Sequence, residues 1–176
     1  MDIRIENLEV VIIAVLVLFV GQMLTRNISF LYRYNIPAAV TGGILCSLIV
    51  ALFQGLWDIR ITFDLQLRDL FLLFFFSTIG LGAKLKSLVQ GGKTLALLSV
   101  IAAVLLVLQN TVGVGLALLA GGEPGFGLLA GSISFAGGHG TAIAWGQVAT
   151  DAGLEGAEEF AVACATFGLI AGGIIG

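Results

Sequence analysis

The chain has 176 residues, of which 59% are hydrophobic and only 11% charged, and its mean hydropathy is +1.10. Soluble domains carry about 25% charged residues, so this composition excludes one and indicates an integral membrane protein. The formal net charge of −3 says little, because in a bilayer the placement of charge matters more than its sum.

A chain of this length holds five or six spans of about 20 residues and leaves no room for a soluble domain beside them. The N-terminus, Met1-Asp2-Ile3-Arg4-Ile5-Glu6, lacks the basic character of a signal peptide, so the first apolar run is expected to be retained. That run, about 8–24, ends at Thr25-Arg26-Asn27. A short link with Arg26 and Arg33 leads to Pro37, a residue suited to the first turn of a helix, and a second span over about 37–55. Trp57 follows as an interfacial anchor, and Asp58, Arg60, Asp64, Arg68 and Asp69 read as a mixed-charge loop. A third, short span covers about 70–85, with Phe71, Phe74, Phe75 and Phe76 as lipid or packing surface. Lys84, Lys86 and Lys93 surround a Gly91-Gly92 turn, and a long fourth span runs over about 94–120. The last apolar segment, about 160–176, carries Cys164, Gly168, Gly172 and Gly176 at intervals of four, a ridge suited to close helix packing. Cys46 and Cys164 both lie in apolar runs and read as small hydrophobes.

Residues 125–150 are the anomaly. Their centre is Gly137-Gly138-His139-Gly140-Thr141, a polar, glycine-rich pentapeptide with the single histidine of the chain. Loose backbone survives at membrane depth only where protein buries it or it lines a wet cavity. A half-helix, a glycine tip and a second half-helix describe a re-entrant hairpin. The expected fold is therefore an all-α membrane protein with five transmembrane helices plus one re-entrant helical hairpin. Placing the N-terminus outside puts Arg26, Arg33, Lys84, Lys86 and Lys93 on the inner side, against Arg4, Arg60 and Arg68 outside. That distribution obeys the positive-inside rule and leaves the C-terminus inside.

Gly137, Gly138 and Gly140 can expose consecutive N–H groups, a nest that attracts carboxylates, and the start of a helix near Thr141 adds partial positive charge. The oxygens of Ser132, Ser134 and Thr141 are hard ligands suited to Na⁺, with Thr78 a weaker candidate. The bland alternative is a glycine-flexed kink with His139 hydrogen-bonded to a neighbouring helix. A lone histidine without clustered Cys, Asp or Glu argues against a transition-metal site. A Ser134/His139 hydrolase pair is conceivable, but nothing marks an activated nucleophile, and the chain does not read as an enzyme. Gln109-Asn110 in the fourth span either binds another helix or lines a cavity.

Several segments resemble the bacterial sodium/glutamate symporter family. They are Phe76-Ser77-Thr78-Ile79-Gly80-Leu81, Gln109-Asn110, Leu128-Leu129-Ala130-Gly131-Ser132-Ile133, Gly137–Thr141 with Ala144-Trp145, Ala163–Leu169 and Gly172-Gly173. The resemblance implies Na⁺-coupled symport of glutamate across the bacterial cytoplasmic (inner) membrane, with no cofactor beyond the coupling ion and no nucleic-acid partner. It further implies two inverted repeats in a full-length member, a dimeric assembly, and an elevator-like movement of the transport domain. This chain matches the first repeat, so a C-terminal half or partner chain is expected. Gly137, Gly138, His139, Gly140, Thr141 and Asn110 would contact substrate; Ser132, Ser134, Thr78 and Thr141 would contribute oxygens to Na⁺. The rival readings are a passive channel and a structural half-subunit without independent transport.

Overall fold

A computed structural model of the chain describes residues 2–84 and 90–176. They form two compact units, Met1–Gly82 and Ala83–Gly176.

The first unit comprises β1 (Asp2–Ile5), α1 (Asn7–Asn27), α2 (Ser29–Arg33), α3 (Ala38–Trp57), β2 (Arg60–Phe63) and α4 (Gln66–Gly82). Helix α1 ends where Ile28 turns extended and its N–H closes onto the Leu24 carbonyl at 2.9 Å. Asn35 then adopts a left-handed conformation, φ 50°, which asparagine tolerates better than most residues. Ile36, restricted to extended backbone by the proline that follows, is buried, and Pro37 leads into α3. At the far end of α3, left-handed Asp58 (φ 53°) donates its N–H to the Gln54 carbonyl, closing the helix in the manner of a glycine cap.

Helices α1 and α3 touch backbone to backbone at Gly21 and Gly42. A Cβ on Gly21 would be driven into the Ala38 carbonyl oxygen, and one on Gly42 into that of Val17. One turn along, the Thr25 hydroxyl donates to that of Thr41 at 3.3 Å. Association in lipid relies on such close packing and polar contacts, because lipid tails are as apolar as leucine.

The stretch expected as a mixed-charge loop contains a strand. Strands β1 and β2 pair in parallel, with Asp2 opposite Arg60 and Ile5 opposite Phe63. Both tetrapeptides alternate polar and apolar residues, Asp-Ile-Arg-Ile and Arg-Ile-Thr-Phe, the period of a strand. Parallel pairing requires the chain to run out along α1, back along α3, and begin α4 on the side where α1 began. Arg4 reaches Asp64 at 3.3 Å across this ribbon.

The second unit comprises α5 (Gly92–Leu119), α6 (Pro124–Leu128), a wide π-helical segment (Leu129–Ile133), α7 (Gly138–Asp151) and α8 (Ala157–Ile175). Its core is Leu129, Ala142, Ala157, Ala161 and Ala165, flanked by Phe126, Ile133, Ala149 and Leu154. The buried row of α8 is thus Ala157, Ala161 and Ala165, and the expected row through Cys164, Gly168, Gly172 and Gly176 is closely packed only in part. A Cβ on Gly172 would meet nothing within 4 Å, whereas one on Gly168 would run into the Phe135 ring. Alanine and glycine satisfy the same size rule, so spacing alone did not choose between the rows.

Among the described residues, four helices are long and apolar enough to cross a membrane: α1, α3, α5 and α8. Their large apolar side chains are broadly exposed, as for Leu16, Leu48, Leu105 and Phe167. In water this surface would drive aggregation; in a bilayer it is the solvated face. The expected third span corresponds to α4, which has 17 residues and carries Arg68 and Asp69 in its first turn. Its expected end at Leu85, and Lys86 of the inner-side cluster, lie outside the described residues.

Candidate functional site

The site is built on a broken helix. Pro124 opens α6, where its missing N–H costs nothing. After Leu128 the helix widens into the π turn, and Gly131 leaves helical geometry altogether, with φ −93° and ψ −130°. A break frees backbone groups, and here α5 supplies the partner: the Ser132 N–H donates to Asn110 Oδ1 at 2.9 Å. The approach needs glycine, since a Cβ on Gly131 would lie 2.7 Å from that same oxygen. Gly113 and Gly127 bring the two backbones together alongside, a Cβ on Gly127 falling 2.6 Å from the Gly113 carbonyl oxygen.

The chain turns at Ala136-Gly137, whose N–H groups both donate to the Ser132 carbonyl, at 3.1 and 3.0 Å. Gly137 is hemmed in by Thr141 and by the Ile133 carbonyl, and Gly138 starts α7 at φ +71°, a left-handed conformation that favours glycine. No side chain caps the N-terminus of α7. Its first-turn N–H groups therefore have no intrahelical acceptor, and the helix presents its positive end there. Gly137 is exposed, and Gly138, His139, Gly140 and Thr141 are half-buried.

The polar side chains divide by partner. Ser134 is buried, and its hydroxyl donates to the Ala161 carbonyl at 2.9 Å, tying the segment before the Ala136-Gly137 turn to α8. His139 Nε2 lies 2.9 Å from Thr166 Oγ1 on the same helix. Ser134 and His139 thus each bond α8 rather than one another, so these two do not pair as nucleophile and base. The Thr141 hydroxyl donates to the Gly137 carbonyl at 3.0 Å, while the Ser132 hydroxyl, half-buried, has no partner among the described residues. Thr78 lies in the first unit, where its hydroxyl donates to the Phe75 carbonyl at 2.8 Å. Asn110 binds the neighbouring segment, whereas Gln109 lines a largely apolar groove of about 550 Å³ with Val112, Leu116, Phe126, Phe135 and Phe160. Gln109 Oε1 is buried and unpaired among the described residues. The two neighbouring amides therefore serve different surfaces.

One polar residue at the tip was not singled out from sequence. Thr166 sits in an apolar helix, where a hydroxyl ordinarily bonds its own backbone, and only the fold brings His139 against it. The arrangement offers backbone donors and a positive helix end to an anion, with hydroxyl and carbonyl oxygens beside them.

A family model described as sodium/glutamate symporter matches residues 3–176. The chain is 43% identical over 174 residues to the sodium/glutamate symporter of Escherichia coli (strain K12), covering 98% of this chain and 43% of that protein. The same identity and coverage hold for the protein of that name from Shigella flexneri. With that of Haemophilus influenzae the identity is 41% over 169 residues, covering 96% of this chain and 42% of the relative. The chain thus spans less than half the length of the curated relatives it matches. No solved structure matches it. With its family model matched from residue 3 to residue 176, the chain belongs to the sodium/glutamate symporter family.

Proposed function

We propose that this chain supplies the N-terminal half of a Na⁺-coupled glutamate symporter in the bacterial inner membrane. The observation that carries the reading is the uncapped start of α7 at Gly137–Thr141, set in a helix broken at Gly131, in a chain 41–43% identical to symporters over nearly its whole length. In this reading α4 is the fifth crossing, and α6 to α7 form a re-entrant hairpin. Each arm is too short for a hydrocarbon core of about 30 Å: α7, with 14 residues at about 1.5 Å per residue, reaches roughly 21 Å. The N-terminus lies outside and the C-terminus inside, following the distribution of Arg and Lys.

Backbone N–H groups of Gly138, His139 and Gly140 bind a substrate carboxylate, with Gly137 and Thr141 shaping the tip and Asn110 holding the break open. Oxygens of Ser132, Ser134, Thr141 and Thr78 are the Na⁺ candidates, and the free hydroxyl of Ser132 is the strongest of them. Na⁺ and glutamate couple because each stabilises the same closed arrangement of tip and spans, so binding of one favours the other. Two chains form the working dimer.

The test is glutamate uptake into proteoliposomes containing this chain, co-expressed with the portion of the Escherichia coli relative that it does not cover. Uptake is expected to need inward Na⁺ and to be lost in Gly138→Val, where a branched residue cannot hold φ +71° without strain. Uptake indifferent to Na⁺ refutes coupling, and ohmic currents in place of saturable flux replace the symporter with a channel.

A further inference from the structure

The Thr166 hydroxyl has one proton and two neighbours at 2.9 Å, His139 Nε2 and the Val162 carbonyl oxygen. A carbonyl oxygen can only accept. If Thr166 gave its proton to His139, two bare oxygens would face each other at hydrogen-bond distance with nothing between them. Both contacts are satisfied only when Thr166 donates back to Val162, as helical threonines commonly do, and accepts from His139 Nε2–H. In a neutral ring that places the proton on Nε2 and leaves Nδ1 a bare acceptor. Nδ1 has no partner among the described residues.

The rest of the tip offers donors. The start of α7 presents N–H groups and a partial positive charge, which suit a carboxylate. An amino acid also carries an ammonium group, which has only protons to give and which an imidazolium would repel. We propose that Thr166 is a positioning residue that fixes His139 in the Nε2–H tautomer, so that Nδ1 accepts a hydrogen bond from the ammonium group of the amino-acid substrate. This rests on the reading of the tip as a substrate site, but the tautomer itself can be tested without it.

His139 is the single histidine of the chain, so ¹⁵N-histidine labelling reports one ring. In nanodiscs in alkaline buffer, where imidazole is neutral, nitrogen NMR of the 176-residue chain should show a protonated Nε2 and an unprotonated Nδ1. Thr166→Ser should keep that pattern. Thr166→Val should lose the single form and admit the Nδ1–H tautomer, with circular dichroism confirming that its helices remain. A wild-type ring protonated on Nδ1, or a Thr166→Val spectrum identical to wild type, overturns the positioning role; the wild-type spectrum decides even if the valine variant misfolds.

The ligand is then probed in the uptake preparation with only this chain labelled. L-glutamate should shift the Nδ1 resonance, and glutarate, which has both carboxylates but no ammonium, should not. An equal shift with glutarate overturns the ammonium contact. No shift with either refutes substrate binding at the tip, while the tautomer result stands on its own.

Discussion

In the first unit, Gly21 and Gly42 let two unbroken helices touch; in the second, Gly113 and Gly127 bring an unbroken helix against a broken one. The α1/α3 contact leaves every interior N–H in its own helix, and its side-chain hydrogen bond is the pair of threonine hydroxyls. The contact of α5 with the π turn adds an obligation, since the break at Gly131 releases the Ser132 N–H and Asn110 has to take it. Close packing suffices for a scaffold. A segment whose backbone leaves helical geometry also needs a polar partner on the helix behind it, because lipid offers none.

The largest expected effects test that contrast directly. Gly21→Val and Gly127→Val each force a branched side chain into facing backbone and should destabilise by about 3 kcal/mol, the upper end for overpacking. Thermal unfolding by circular dichroism should fall for both. Hydrogen exchange should separate them, with the Ser132 amide losing protection in Gly127→Val alone. Gly172→Ala, at an open position within α8, should stabilise by about 0.5–1 kcal/mol through helix propensity. Equal exchange at Ser132 in both valine variants would show that the break does not depend on the α5 contact.

Next in size is Asn110→Leu, which keeps the volume roughly constant and orphans the Ser132 N–H. An unsatisfied buried donor costs about 1–3 kcal/mol. Denaturant titration should show that loss, with faster exchange at Ser132. Gln109→Leu should be neutral or stabilising, since Gln109 Oε1 is already unpaired. The reverse order would move the polar support of the broken helix from Asn110 to Gln109.

How far these features were legible follows from their physics. Helical, membrane-embedded character is written in composition and in apolar runs, because a bilayer forces every backbone group to be satisfied within its own segment. The anomaly at Gly137–Thr141 stood out for the same reason. The ribbon of β1 and β2 did not, because its pairing joins residues about 60 positions apart and each alternating tetrapeptide is too short to signal alone. The choice of Ala157, Ala161 and Ala165 over the glycine row was hidden too, since both repeat every four residues and only the position of α7 decides between them. Thr166 was invisible as a partner of His139 because sequence spacing cannot tell which turn of α8 the tip reaches.

Ser134→Ala should cost about 1 kcal/mol, a typical net value for a hydrogen bond, because the Ala161 carbonyl keeps its helical partner. This variant also sharpens the division among the Na⁺ candidates. If the Ser134 hydroxyl only ties the segment before the Ala136-Gly137 turn to α8, the Na⁺ concentration for half-maximal uptake should not move. In Ser132→Ala it should rise, since that hydroxyl is free. A rise in Ser134→Ala alone would exchange the two roles.

The smallest effect belongs to the charged ribbon, where the comparison turns on which groups are dry. Arg4 meets Asp64 at 3.3 Å, but its side chain is 70% exposed, so water and salt screen the attraction and Arg4→Ala should cost less than about 1 kcal/mol. Asp64 is only 10% exposed and does more: its second carboxylate oxygen accepts the Gln66 N–H at 3.1 Å where α4 begins. Removing a side-chain acceptor at a helix start costs about 1 kcal/mol, so Asp64→Ala should be the worse variant. Combining the two substitutions isolates the pair, because only the ion-pair component fails to add. That component should shrink as salt is raised, while the helix-start component should not. If Arg4→Ala proved as damaging as Asp64→Ala at high salt, the hold of β1 on β2 would lie in the packing of the arginine stem over the ribbon rather than in charge.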